Sequence, residues 1–293
     1  MPRTYSPLRY PGGKTQLSGF VMQLLELNKL DDIVYVEPFA GGFGAGLELL
    51  FKNKAKSVII NDYDIAIYSI WYAILNETER FINDIINVKI NIQEWEFQKN
   101  VYNKSLEEKY YSYELAFATY FLNRTNRSGI ITGGPIGGKN QNGNYRLDCR
   151  FNKNDLIRKI VRISEYKDKI QLYNMEANDF IDKIILRHNP NEIFTFFDPP
   201  YYEQGKNLYT NFFYHEDHLN LQRKINSLTD YYWILTYDKR EEILSIYEDY
   251  SKYLYSINYS ASNVRKAKEI LIPSIKVKLD SLDNINIETI QNI

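Results

Sequence analysis

Ile33-Val34-Tyr35-Val36-Glu37-Pro38-Phe39-Ala40-Gly41-Gly42-Phe43-Gly44-Ala45-Gly46, followed ten residues later by Ser57-Val58-Ile59-Ile60-Asn61-Asp62, decides the fold class. Residues 33–37 are apolar and β-rich, the pattern of a buried strand. Pro38 through Gly46 make a glycine-rich turn, a helix is expected from about Ala45 to Phe51, and 57–61 read as a second strand closed by Asp62. Strand, turn, helix and strand within ~30 residues form a βαβ unit whose turn is sized for a ligand. Glycines there let backbone approach a ligand closely, and the helix N-terminus helps to bind it. The turn is not a clean G-x-G-x-x-G fingerprint. Asp62, with Asp64 as the near alternative, is placed either to hydrogen-bond ribose hydroxyls or to serve as a turn or N-cap residue.

Outward from this unit the α/β rhythm breaks and then returns. Residues 65–165 read first as helices rich in Tyr, Asn and Ile, then as a glycine-dense stretch holding six of the chain's 14 glycines between Gly129 and Gly143. Such a stretch packs no compact core and reads as an ordered loop or hairpin. Strands are expected at 170–173, 193–197, 232–236, near 252–259 and near 269–273, with helices over 177–187 and near 240–248. The last 15 residues, 279–293, hold three acids and no Lys or Arg and read as a peripheral or frayed tail. The expected organisation is a discontinuous α/β domain (1–65 and 166–278), an insertion (66–165) and the tail (279–293).

Composition narrows the function classes. The 293 residues carry 36 Lys+Arg against 37 Asp+Glu, with 44% hydrophobic residues, which excludes wholesale disorder and a uniformly basic nucleic-acid binder. One cysteine, Cys149, excludes a disulfide framework and a Cys-based zinc site. No apolar run reaches the ~18 residues of a membrane helix. The start lacks an apolar signal core, so a cytoplasmic location is expected. His215 and His218, three apart on an expected helix, have no acid–His motif around them and read as surface or packing residues, so no metal is expected.

Two further segments lie where chemistry is expected. Asp198-Pro199-Pro200-Tyr201 follows the apolar strand 193–197. Its prolines fix two φ angles and remove two N–H donors, and the preceding Asp is pushed to extended geometry. The result is a rigid turn presenting a carboxylate, carbonyls and a ring, which suits a planar amine. Arg9-Tyr10-Pro11-Gly12-Gly13-Lys14-Thr15 invites a P-loop reading, but the first glycine is replaced by Leu8 and no strand precedes it.

Taken together, Pro11–Lys14, Glu37–Gly44 and Asp198–Tyr201, in this order, resemble the Dam-type (alpha-class) DNA adenine-N6 methyltransferases over about residues 5–275. Asn123-Arg124, Asn178-Asp179-Phe180 and the C-terminal Ser262-Asn263, Arg265 and Glu269-Ile270-Leu271 are similar to further segments of that family. The resemblance implies a Rossmann-like, S-adenosyl-L-methionine-dependent methyltransferase sheet with an inserted, mostly helical DNA-recognition domain. It implies a cofactor pocket lined by Tyr10, Lys14, Glu37, Phe39, Gly41, Asp62, Asp179, Phe180 and Asp198. Catalysis falls to Asp198, Pro199, Pro200 and Tyr201, with a flipped adenine of double-stranded DNA as acceptor. A cognate restriction endonuclease is a candidate second partner.

The charge pattern bears on the DNA. Residues 121–160 contain Arg124, Arg127, Lys139, Arg146, Arg150, Lys153, Arg158 and Lys159 against only Asp148 and Asp155, in a chain of net charge −1. A neutral DNA-binding enzyme needs such asymmetry. Arg124, Arg127, Lys139, Arg146 and Arg150 are therefore candidate DNA contacts, and Arg265 is one in the second basic stretch, 251–278. The chain departs from the GATC-reading members, carrying Ser128-Gly129-Ile130-Ile131-Thr132-Gly133-Gly134-Pro135 where they have an aromatic-rich hairpin. Methylation of RNA or of cytosine N4, and a non-catalytic nucleic-acid-binding module on the same scaffold, are the competing readings. Carbon-5 cytosine chemistry needs a Cys nucleophile, usually after Pro, whereas Cys149 follows Asp148.

Overall fold

Strands β1 (Val34–Glu37) and β4 (Ile193–Phe197) are buried along their whole length. Strands so covered need a layer on each face, the situation of a parallel sheet between helices. In the computed structural model, which describes residues 4–10, 14–202, 213–259, 265–279 and 287–290, that arrangement is found. The sheet also contains β2 (Ser57–Asn61), β3 (Ile170–Tyr173), β5 (Tyr232–Asp238), β6 (Tyr253–Tyr259), β7 (Arg265–Pro273) and β8 (Ile287–Thr289). Their order is β3-β2-β1-β4-β5-β7-β6-β8. The first five are parallel and the last three antiparallel.

Alternation along the strands divides the core. Tyr35, Val58, Ile60, Phe194, Phe196 and Ile234 face one apolar cluster, and Val34, Val36, Ile59, Ile193, Phe197 and Leu235 face the other. The first cluster takes in α1 (Ser18–Leu27) and α2 (Gly44–Phe51), then continues through α3 (Ile65–Asn76), α4 (Thr78–Asn87), α5 (Ile92–Leu106), α6 (Tyr113–Thr125) and α7 (Lys153–Ser164). These later helices thus share one core with the sheet. The second cluster is closed by α8 (Ala177–Lys183), α9 (His215–Ile225) and α10 (Glu241–Ile246).

Several elements differ from the sequence reading. β7 begins four residues before the apolar run 269–273, because its polar start pairs with β6 from Tyr259↔Arg265 onward, and backbone pairing asks nothing of side-chain polarity. The tail contributes β8, an edge strand on β6, an edge needing only one partner. The helix over 177–187 stops at Lys183 and a 3-10 turn covers Ile185–Arg187. The glycine-dense stretch is a loop with a single bridge, Asn126↔Pro135. Buried Asn126 fastens it, its amide donating to the Ile130 and Ile131 carbonyls at 3.0 and 2.8 Å and its oxygen accepting from Trp95 at 2.6 Å. Among the described residues no helix is long and apolar enough to cross a membrane.

The chain runs outward from β1 to β2 and β3, then returns to lay β4 on the other side of β1. The crevice at the carboxyl ends of β1 and β4 is therefore the topological switch point, where ligands of such sheets bind. Asn61, at the end of β2, holds its rim: its amide donates to the Pro38 carbonyl at 2.9 Å and the Met175 carbonyl at 3.0 Å, and its oxygen accepts from Met175 N at 2.9 Å. Asn61→Ala strips these buried groups of their partners and is expected to cost about 2–3 kcal/mol. Chemical denaturation measures this, and an unchanged midpoint would refute it.

Candidate active site

At the end of β1 the chain enters its turn under tight restraint. Gly41 has φ +46°, and a Cβ there would lie 2.6 Å from the Tyr10 ring. The left-handed conformation and the close approach both require glycine. Gly41 N donates to Asp62 Oδ2 at 2.8 Å, and the Trp71 indole donates to the Gly41 carbonyl at 2.9 Å. Asp62 Oδ1 accepts from Asp64 N at 3.0 Å, while Asp64 itself caps α3 by accepting from Ala66 N at 2.8 Å. Glu37 Oε1 accepts from the Tyr35 hydroxyl at 3.0 Å and from Gly46 N at 3.1 Å. Burial pushes the Glu37 carboxyl up to about 8. Burial, with Asp64 nearby, pushes that of Asp62 up to about 7.

At the end of β4 stands Asp198. Its Oδ1 accepts from the Thr236 hydroxyl on β5 at 2.7 Å and from the Lys14 ammonium at 2.9 Å. Lys14, only 6% exposed, also stands 3.9 Å from Glu269 Oε2 on β7 and 4.8 Å from the centroid of the Tyr201 ring. Burial holds the Asp198 carboxyl above the ordinary range, against the pull of Lys14. For Lys14 burial works against the charge, but Asp198 and Glu269 outweigh it and raise the ammonium above its ordinary value. Next in the turn, Tyr202 N donates to Asp238 Oδ1 at 3.1 Å.

These groups open into one cleft of about 410 Å³. Tyr10, Lys14, Glu37, Phe39, Asp62, Asp198 and Pro200 lie on its wall, and so do Arg124 and Arg150. Gly41, Pro199 and Tyr201 are not among its lining residues; Gly41 lies close to Tyr10, and Tyr201 is buried in the second core cluster with its ring centroid 4.8 Å from Lys14 Nζ. Asp179 and Phe180 are not among the residues that line the cleft. Asp179 pairs with Lys183 at 2.7 Å on an exposed face of α8, and Phe180 is fully buried in the second core cluster.

The basic residues divide similarly. The Arg124 guanidinium donates to the Pro7 carbonyl at 3.4 Å and to the Arg150 carbonyl, and burial lowers its pKa. Arg127 and Arg146 are exposed, and exposed Lys139 pairs with Glu96 at 2.9 Å. The Arg265 side chain, Pro11–Gly13, Ser262 and Asn263 lie outside the described residues. His218 is buried, with Nδ1 2.8 Å from the Tyr237 hydroxyl, and His215 Nδ1 is 3.1 Å from the Tyr202 hydroxyl. Among the described residues no group of three His, Cys, Asp or Glu could hold a metal.

Sequence reading missed Arg9, Thr236 and Glu269 as parts of the site. Arg9 lines the cleft beside Arg124 and Arg150. Its N donates to Asn123 Oδ1 at 2.9 Å and its guanidinium to the Asn126 carbonyl at 3.0 Å. Burial and the neighbouring arginines lower its pKa to about 10. Its place next to Tyr10 was the available signal, and for Glu269 it was the family-like segment Glu269-Ile270-Leu271; Thr236 gave none, sitting in a strand that reads as core.

The model of the D12 class N6 adenine-specific DNA methyltransferases matches residues 10–262. The chain belongs to this family. It is similar to the type II methyltransferase M.MjaIII of Methanocaldococcus jannaschii, at 25% identity over 275 residues covering 88% of this chain and 89% of that one. It is also similar to a solved structure, the rRNA methyltransferase aviRa of Streptomyces viridochromogenes, with TM-score 0.38 and 10% identity, covering 90% of this chain and 86% of that one.

Methyltransferases of the D12 class use S-adenosylmethionine, and the residues of this cleft fit it. At Gly41 the left-handed φ and the Tyr10 ring leave room for no side chain, so the turn keeps its backbone bare. Asp62, directly after β2, has spare acceptor capacity on both oxygens, as ribose hydroxyls require. Glu37, Asp62 and Asp198 are also acids that a positively charged ligand would draw into their ionised form.

The raised acids give a pH signature. The folded chain keeps on Asp62 and Glu37 protons that the unfolded chain releases near pH 4. The stability they confer is full below that range and is lost as pH rises toward about 7 for Asp62 and about 8 for Glu37. Asp62→Asn has no such proton to lose. Its Tm relative to the wild-type enzyme is therefore expected to rise as pH goes from about 5 to about 8. Parallel Tm–pH curves for the two proteins would contradict the assignment.

Proposed function

We propose that this enzyme methylates the exocyclic N6 of an adenine flipped out of duplex DNA at a short specific site. The observation that carries the reading is the disposition of Asp198 on the cleft wall. Thr236 and Lys14 fix its Oδ1, and no described residue hydrogen-bonds Oδ2. Two prolines follow, which remove two N–H donors from the turn. A carboxylate oxygen and the Pro199 carbonyl then form a pair of acceptors matching the two hydrogens of a planar amine.

When bound, S-adenosylmethionine supplies an already activated methyl group. The residues of the chain have the remaining task, positioning. Hydrogen bonds from the amine to Asp198 Oδ2 and the Pro199 carbonyl localise a lone pair otherwise delocalised into the base. Asp198 need not be a strong base, because the amine proton becomes acidic only after methylation and leaves late. Tyr201 offers the stacking face for the base. Asp62 is assigned to ribose hydroxyls, Glu37 and Lys14 to the charged end of the cofactor, and Phe39 to packing beside it.

The DNA is assigned to the arginine-lined part of the cleft wall. Arg9, Arg124 and Arg150 converge there, and the 66–165 insertion bears exposed Arg127 and Arg146 beyond it. Arg124 is tied to two carbonyls and supports the wall; Arg127 is better placed to reach phosphate or base edges. The likeness to a protein named a type II methyltransferase supports a cognate restriction endonuclease as functional partner.

Two experiments test this. The wild-type enzyme with unmethylated genomic DNA should yield N6-methyladenine at one short motif, read by nucleoside mass spectrometry and single-molecule sequencing. Asp198→Ala should lose at least about 100-fold of that activity while keeping its fold. Methyl on cytosine, or appreciable activity in the variant, defeats the mechanism. Arg127→Ala should weaken DNA binding and lower its salt slope by about 0.9, leaving the thermal shift with cofactor intact. Loss of that thermal shift would make Arg127 structural.

A further inference from the structure

Glu269 is a buried acid for which the proposed reaction has no use. It lies on β7, 2% exposed, opposite Asp238 of β5. Its Oε2 accepts from the Tyr255 hydroxyl of β6 and stands 3.9 Å from Lys14 Nζ. That separation makes an ion pair but exceeds a hydrogen bond. The same ammonium is hydrogen-bonded to Asp198 at 2.9 Å and stands over the Tyr201 ring at 4.8 Å. Lys14 therefore touches both groups that the reaction uses: it holds Oδ1 of the acceptor carboxylate, beside the Oδ2 assigned to the amine, and it stands over the ring assigned to the base. Were Asp198 its sole anion, moving away would leave a buried ammonium unmatched, at a cost of several kcal/mol.

We propose that Glu269 is a positioning residue for methyl transfer: it shares the Lys14 ammonium with Asp198 and takes the larger share when the target amine binds Asp198 and the base covers Tyr201. Tyr255 fixes the receiving carboxylate, and the pairing of β7 with both β5 and β6 holds it rigidly. The inference rests on the reading of Asp198 as the amine acceptor. The charged and titratable groups facing Asp198 are Lys14, Glu269, Glu37, Tyr35 and Tyr237. Among these, Lys14 lowers its pKa and Glu269 raises it.

The test uses the full chain with unmethylated DNA and S-adenosylmethionine. N6-methyladenine formation by the wild-type enzyme, measured first, tests the underlying reading on its own. Glu269→Gln should then lower kcat about ten- to hundredfold, with the KM for cofactor within about twofold. The acid limb of its kcat–pH profile should move down by about one unit, and that of Lys14→Gln should move up by about as much. A purely structural residue moves neither limb. Unfolding without cofactor or DNA gives an activity-independent reading: the Tm losses of the two variants should be strongly non-additive, the double variant being more stable than the sum of its parts. If Glu269→Gln fails to fold, the double variant should recover folding, because the unmatched ammonium is gone. Wild-type kcat in Glu269→Gln, limbs that do not move apart, or additive Tm losses with no recovery would each overturn the proposal.

Discussion

Lys14 is a cation placed where water hardly reaches, and much of the site follows from the need to match it. An ammonium in that position is tolerable only with anions and hydrogen-bond acceptors around it. The matching groups come from three strands: Asp198 after β4, Thr236 through its bond to Asp198 on β5, and Glu269 on β7. The demand for charge pairing draws the N-terminal segment across the carboxyl ends of these strands. Once it lies there, Tyr10 meets Gly41 and Gly42, and Arg9 meets Asn123. A wall of the cleft is thus built by a segment that belongs to no strand of the sheet.

The same segment fastens the helices of 65–164 to the sheet. Asn123 is buried, with Oδ1 accepting from Arg9 N and its amide donating to the Arg9 and Gly129 carbonyls at 2.8 and 2.9 Å. One side chain therefore ties the N-terminus to both α6 and the glycine-rich loop. The cleft is lined both by carboxylates at the strand ends and by the arginines Arg9, Arg124 and Arg150. Low-dielectric walls focus such fields. In the proposed reading these charges sort the ligands, a positively charged methyl donor to the acids and a polyanion to the arginines.

Most of the sheet was legible because buried parallel strands are written as short apolar runs between turns. The runs at 57–61, 170–173 and 193–197 became strands with those bounds. The motifs at Glu37–Gly44 and Asp198–Tyr201 were legible because glycine and proline act through local backbone geometry, which travels with the sequence. Elements that depend on a distant partner were less so. The polar start of β7 and the edge strand β8 exist by pairing with β6. Asp179 and Phe180 were read as pocket residues from a short motif; in the structure Asp179 pairs with Lys183, Phe180 packs in the second core cluster, and neither lines the cleft.

By itself, then, the sequence determined the βαβ start, the places along the chain of most of the sheet's apolar strands, the rigid turn at Asp198 and the family to which the chain belongs. Each depends on contiguous residues, whose conformational limits and periodicity are local properties. Only the tertiary structure decided that Lys14 sits between Asp198 and Glu269, that Arg9 joins Arg124 and Arg150, and that Glu37 and Asp62 are held above the ordinary carboxylate range. Charge pairing and desolvation act through space between residues up to 255 positions apart, and no local pattern encodes a distance of that kind.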